Sequence, residues 1–198
     1  MLTDHFALSH FPFSDGAELD GLFECPQFES TYDALLMGVL DGRRIQVVVG
    51  PSGIGRTTAL SRLRIGLQPS EFHVIPVELT NLNLEELNAL ILREAVELSA
   101  VHLGDDDEEF EAAQDEPDPH MELRQRLRRL REAGHPVVLL IDDAENLGAP
   151  VLNQLPDLLN DDDETTLAQA VLTVRPEFAQ RLTGIELDRL NAAIDGIH

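Results

Sequence analysis

Apolar positions along the chain switch between two rhythms, short continuous runs and helical spacings of three and four. The run "RRIQVVVG" is rich in β-branched residues and ends at Gly50, so it reads as a buried strand entering a loop. "RTTALSRLRIGL" then places Leu60, Leu63 and Leu67 on one helix face. "FHVIPVEL" predicts a strand over Val74 to Leu79, which Pro76 places near a sheet edge. A helix follows in "NLNLEELNALILREAVELSA", where Asn83 and Glu86 have the spacing of a capping box. "MELRQRLRRLREAG" is a helix stopped by Gly134, and "HPVVLLIDDAENL" is a fully apolar strand ending in carboxylates. "PVLNQLPDLLND" predicts a helix, and "AQAVLTVRPEF" a strand ending near Arg175 with a short helix after it. The tail "LNAAIDGIH" stops where a last strand would begin. Strands alternating with helices predict an α/β fold, a three-layer αβα sandwich around a mostly parallel sheet.

Ahead of this alternation, residues 1–40 form a preamble expected to pack on a core spanning 41–198. It holds the extended, aromatic "HFALSHFPF" and then "PQFESTYDALLMGVL". The latter is a helix with Phe28, Tyr32, Leu35, Leu36 and Val39 on one side. "GDDDEEFEAAQDEPDPH", about 104–120, cannot bury a core and is expected to be a mobile acidic insert. With 198 residues and 43% hydrophobic content, one ordinary domain is the natural count. No run of apolar residues reaches membrane-spanning length, which predicts no direct membrane insertion by this chain. The N-terminus lacks a basic segment followed by an apolar one, and Cys25 stands alone; both fit a cytoplasmic protein.

Charge narrows the partners. Thirty-seven acidic residues against 14 basic ones leave a net charge of −23, a field that repels nucleic acid. The basic residues are all arginine. The arginines of "RQRLRRLR" read as a solvated helix face balancing the acidic insert. The histidines show no metal-ligand spacing, so no metal site beyond a magnesium site is expected.

The chemistry concentrates in "GPSGIGRTT". Gly50-x4-Gly55-Arg56-Thr57 lies between a predicted strand and a predicted helix, the context that gives this pattern meaning. In such a loop (Gly50, Pro51, Ser52, Gly53, Ile54, Gly55) backbone N–H groups turn inward around a phosphate. The helix N-terminus adds its positive end. Thr57 is placed to ligate Mg²⁺ through its hydroxyl, with Thr58 in support. Arg56 departs from the usual lysine: a planar guanidinium suits a site shaped for a point charge less well, so binding should survive better than hydrolysis.

Asp142 and Asp143 follow "VVLLI", where P-loop enzymes carry a magnesium-holding acid and then a water-polarising one. The second is usually glutamate, and Asp143 is shorter by about 1.5 Å of reach, a misplacement that can lower a rate about a hundredfold. Glu145 is a nearby acid that could compensate for that lost reach, but it reads first as a surface helix cap. One strand intervenes between the loop strand and the acid strand, the order of the AAA+ branch of P-loop ATPases.

Longer fragments carry a family resemblance. "FALSHFPF", "DALLMGV", "VVLLIDDAENL" and "VLTVRPEFAQRL" together resemble the AAA+ ATPases of the general secretion pathway A (ExeA-like) group across nearly the whole chain. The resemblance implies ATP and Mg²⁺ as cofactors, a homo-oligomer through the nucleotide face, and coupling to secretion or pilus assembly proteins. It carries the phosphate loop over to Gly50, Gly55, Arg56, Thr57 and Thr58, magnesium to Asp142, and water activation to Asp143. A family glutamine maps to Arg175, which becomes a candidate charged sensor of the γ-phosphate or a surface arginine. His198 falls before the helical lid of AAA+ proteins, so a lidless core is expected.

The leading reading is therefore an ATP-binding AAA+ ATPase core with weak or conditional hydrolysis. A non-hydrolysing, degenerate NTPase acting as an interaction module is the alternative. Related transposition ATPases bind DNA, a reading the net charge argues against.

Overall fold

The computed structural model describes residues 25–67, 72–77, 82–103, 118–161 and 165–198. Helix α1 (Pro26–Leu40) leads into β1 (Ile45–Val49) and α2 (Arg56–Gly66), followed by β2 (His73–Val77) and α3 (Leu84–His102). Helix α4 (Pro119–Glu132), β3 (Val137–Ile141), a 3₁₀ turn (Ala144–Leu147) and α5 (Gly148–Leu159) come next. The chain closes with β4 (Ala168–Val174), α6 (Pro176–Leu182), a second 3₁₀ turn (Ile185–Leu187), α7 (Asp188–Ala193) and β5 (Ile194–Ile197).

The five strands form one sheet in the order β2-β3-β4-β1-β5, and every pairing is parallel. Such a sheet needs cover on both faces, and the alternation of side chains supplies it. Ile45, Val47, Ile75, Val77, Leu139, Ile141, Ala170 and Leu172 point into a core shared with α3 to α7. Val48, Val138, Leu140 and Val171 point the other way, against Leu35 and Val39 of α1 and Leu60 and Leu63 of α2. The three-layer αβα sandwich follows from this division.

Three polar residues of the second face shape what comes next. Gln46, Gln169 and Thr173 are buried in the central strands. Gln46 Nε2 donates to the Leu35 carbonyl (3.2 Å) and Gln169 Nε2 to the Val39 carbonyl (3.1 Å), both in α1. A buried amide without a partner is costly, so these two bonds fix where α1 sits on the sheet. Gly38 lets the Gln46 bond form, because a Cβ there would lie 2.0 Å from Gln46 Oε1.

Several expectations are met. The Asn83 side chain accepts from Glu86 N and Glu86 returns the bond to Asn83 N, a complete capping box. Pro76 does lie on an edge strand, where its missing N–H leaves no gap in the ladder with β3. Gly134 stops α4 with a left-handed φ of +86°. Two boundaries change. The tail forms α7 and then β5, an edge strand paired with β1, because Ile194 and Ile197 extend the parallel ladder. Pro119 and His120 belong to α4 rather than to the acidic insert, and Asp118 caps that helix by accepting from His120 N (3.0 Å). The rest of the insert, 104–117, and the preamble before Cys25 lie outside the described residues.

Candidate functional site

Parallel strands deliver their C-terminal ends to one edge of the sheet, and at that edge the sequence-predicted residues meet. The loop Gly50 to Gly55 leaves β1, turns through left-handed Gly53 (φ +81°) and Gly55 (φ +101°), and enters α2 at Arg56. Gly50 allows the turn to close, as a Cβ there would stand 2.7 Å from Ile54 Cγ2. Gly50 N donates to the Val174 carbonyl (3.2 Å), which ties the loop to the end of β4. Pro51, Ser52, Gly53 and Ile54 are exposed, and Thr58 is half-buried in the first turn of α2.

Asp142 and Asp143 leave β3 beside this loop. Thr57 Oγ1 donates to Asp142 Oδ2 at 2.6 Å, and Arg56 Nη2 donates to Asp143 Oδ1 at 2.6 Å. Arg56 is buried while Asp143 is about a third exposed, with side-chain accessibilities of 7% and 36%. The second guanidinium nitrogen, Arg56 Nη1, is buried without a hydrogen-bond partner among the described residues. Asp143 has a left-handed backbone (φ +45°), a conformation that aspartate and asparagine tolerate better than glutamate does.

Thr173 is a site residue that the sequence reading missed. Its hydroxyl donates to Asp142 Oδ1 and accepts from Asp143 N (2.9 Å), so it orients both acids at once. The available signal was a lone hydroxyl within the apolar run "AVLTV". Arg175 follows two residues later, as the residue before α6, half exposed, with Nε 3.2 Å from Glu145 Oε1. Glu145 is not the surface helix cap expected from the sequence: its side chain is only 14% exposed and faces Arg175.

Two depressions flank the loop. One is lined by Cys25, Phe28, Thr31, Val49, Ile54, Ala59 and His198, and offers an apolar floor under the loop's outer side. Alignment of α1 by the two glutamines brings Phe28 here, 3.8 Å from where a Cβ on Gly55 would sit. Cys25 contributes as a free, half-buried thiol. His198 is held by donating from Nε2 to Gln46 Oε1 (3.2 Å); burial and then the Arg43 guanidinium depress its pKa. The other depression gathers Thr57, Ser61, Arg64, Asp142, Asp143 and Asn146. Thr57 and Asp142 present hard oxygen donors suited to Mg²⁺. The orphaned Arg56 Nη1 beside a glycine-rich helix N-terminus suits a phosphate oxygen.

Comparison with known proteins identifies the family and the fold. A family model described as an AAA domain matches residues 39–182. The chain belongs to the AAA domain family. General secretion pathway protein A of Aeromonas hydrophila is 30% identical over 188 residues, covering 92% of this chain. The chain spans 31% of that protein's length. Among solved structures, Cdc6p from Pyrobaculum aerophilum aligns with a TM-score of 0.57 at 16% identity, over 92% of this chain and 49% of that one. The Aeropyrum pernix ORC2 protein, in its ADPNP-ADP complexes, aligns with a TM-score of 0.54 at 16% identity, over 86% of this chain and 46% of that one. These likenesses show the fold of an AAA-type ATPase core.

Proposed function

We propose that this AAA-domain chain binds Mg-ATP at the C-terminal edge of its sheet and hydrolyses it slowly. The observation that carries this reading is the joining of loop and acid strand by two short contacts, Thr57–Asp142 and Arg56–Asp143. Phosphates would lie against the amides of Gly53 to Thr57, with Arg56 reaching them through its guanidinium. The base would rest in the apolar depression beside Phe28 and Ile54. Magnesium, held by Thr57 and Asp142, would neutralise phosphate charge. Asp143 would orient the attacking water, and Arg175 would act as a charged sensor of the γ-phosphate.

The same contacts explain why turnover should be slow. Asp143 is bound by Arg56, so its carboxylate must exchange that partner before it can serve a water molecule. This ion pair also favours a second reading, a nucleotide-binding module that switches shape without hydrolysis. In either case the likeness to General secretion pathway protein A supports a role alongside secretion or pilus assembly proteins. Association through the nucleotide face, at the inner side of a membrane, belongs to the same proposal. Among the described residues no helix is long and apolar enough to cross a membrane.

Titration of the full chain with a fluorescent ATP analogue, with and without Mg²⁺, tests the proposal. Magnesium-dependent saturation below millimolar ligand is expected; no binding at millimolar concentration would remove it. Phosphate release then separates the two readings. Arg56→Lys combined with Asp143→Glu should raise a slow rate, whereas no measurable release from either protein supports the switch module.

A further inference from the structure

The opposite end of the sheet carries a cluster that the sequence reading did not anticipate. His73 opens β2, His102 closes α3, and His135 lies in the turn between α4 and β3. They are 29 and 33 residues apart, too far for any local ligand spacing to betray them. The fold brings their rings to centroid separations of 4.4, 5.2 and 4.3 Å. One nitrogen from each ring lies within 4.8 Å of the other two.

We infer that His73, His102 and His135 form a binding site for one Zn²⁺ ion, which clamps β2, α3 and the α4–β3 turn together. Two ring nitrogens of the cluster lack a partner: His73 Nε2 and His135 Nδ1 are buried with no hydrogen bond among the described residues. Such atoms are rarely left unsatisfied in a folded protein, and a metal would satisfy both. The backbone beneath them is rigid. His73 N donates to the Pro136 carbonyl (2.9 Å), His73 pairs with Val137 across the ladder, and His135 N donates to the Leu130 carbonyl (2.8 Å).

His102 is exposed and supplies the way in. Zn–N bonds of about 2.0–2.1 Å in tetrahedral geometry put ligand nitrogens roughly 3.3 Å apart. From separations of up to 4.8 Å, rotation of the exposed His102 ring and small adjustments of the others close the gap. Three imidazoles select a borderline metal such as zinc over magnesium or calcium, which require oxygen. Three protein ligands leave a fourth position for water.

The site is separate from the nucleotide site. Strands of five residues place the two at opposite sheet edges, roughly 15 Å apart at about 3.3 Å per residue. Loading one should therefore leave the other available.

Metal-stripped full chain titrated with Zn²⁺ by calorimetry, and with Co²⁺ followed by visible absorption, tests the inference. One ion per chain is expected, with micromolar or tighter affinity and the strong visible bands of tetrahedral cobalt. His102→Gln and His135→Gln should each weaken binding at least tenfold, while His120→Gln changes nothing. His102 is on the surface, so its variant should fold, and the thermal stabilisation by Zn²⁺ expected in the parent should be much reduced in it. Absence of micromolar binding, binding that survives both substitutions, or a weak octahedral cobalt spectrum would overturn the site and leave the cluster as ring packing alone. Mg-ATP should not displace the ion, and a failure of ATP binding would leave this result untouched.

Discussion

The Arg56–Asp143 pair is unequally buried, and that asymmetry makes a quantitative prediction. Asp143→Asn removes the carboxylate charge and keeps both the shape and the tolerance for a left-handed backbone. It strands a guanidinium whose side chain is 7% exposed. Breaking a fully buried pair costs about 3–5 kcal/mol, and an exposed pair contributes about 0.2–1 kcal/mol. With one partner buried and the other about a third exposed, and with a neutral acceptor left behind, the expected loss is about 1–2 kcal/mol. Arg56→Met instead removes a buried charge together with its unpartnered Nη1, and leaves Asp143 facing water. That change should cost at most about 1 kcal/mol. For a chain of this size each kcal/mol moves Tm by about 2–4 °C. Thermal and urea unfolding of both variants without nucleotide, at equal ionic strength, gives the comparison. The double variant then closes the cycle and isolates the coupling between the two groups. Nucleotide titration should show the opposite order, with Arg56→Met losing affinity and Asp143→Asn keeping it. If Arg56→Met is the more destabilising of the two, the argument from unequal burial is wrong.

Gly38→Ala should destabilise the chain by about 1–3 kcal/mol in urea unfolding, although alanine ordinarily favours a helix. The added Cβ would lie 2.0 Å from Gln46 Oε1, in a side chain fully buried and held by α1; a stabilised variant would refute this packing. Asn83→Ala removes the cap of α3, whose two bonds measure 2.9 and 2.8 Å, and should cost about 1 kcal/mol by the same assay. His198 has its pKa held below the usual 6.5 by burial and then by Arg43. Below pH 6.5 the unfolded chain takes up a proton that folded His198 resists, so stability should fall as the pH drops through that window. His198→Gln should flatten that part of the profile relative to the parent, and an identical slope would exclude the contribution.

Much of the architecture was legible because it is written in local patterns. Continuous apolar runs ending in glycine or aspartate marked β1 and β3, the capping box marked the start of α3, and Pro76 marked an edge strand. The loop and both acids were readable for the same reason, since strand-loop-helix context lies within a few residues of each motif. The short tail strand was harder: four residues carry no decisive period, and only pairing with β1 makes Ile194–Ile197 a strand. Asp143 was read as a shortened glutamate, whereas its left-handed backbone shows a second reason for aspartate at that position.

The sequence by itself determined the alternation of strands and helices, the phosphate-loop pattern and the presence of two acids after an apolar strand. These depend on neighbours along the chain, where spacing and side-chain type carry the information. Tertiary structure decided the rest: that Thr173 binds both acids, that Arg56 spends its charge on Asp143, and that Gln46 and Gln169 hold α1 in place. It also decided that His73, His102 and His135 meet. Each of these contacts joins residues brought together only by strand order and layer packing, and no period in the sequence records which distant side chains will share one buried corner.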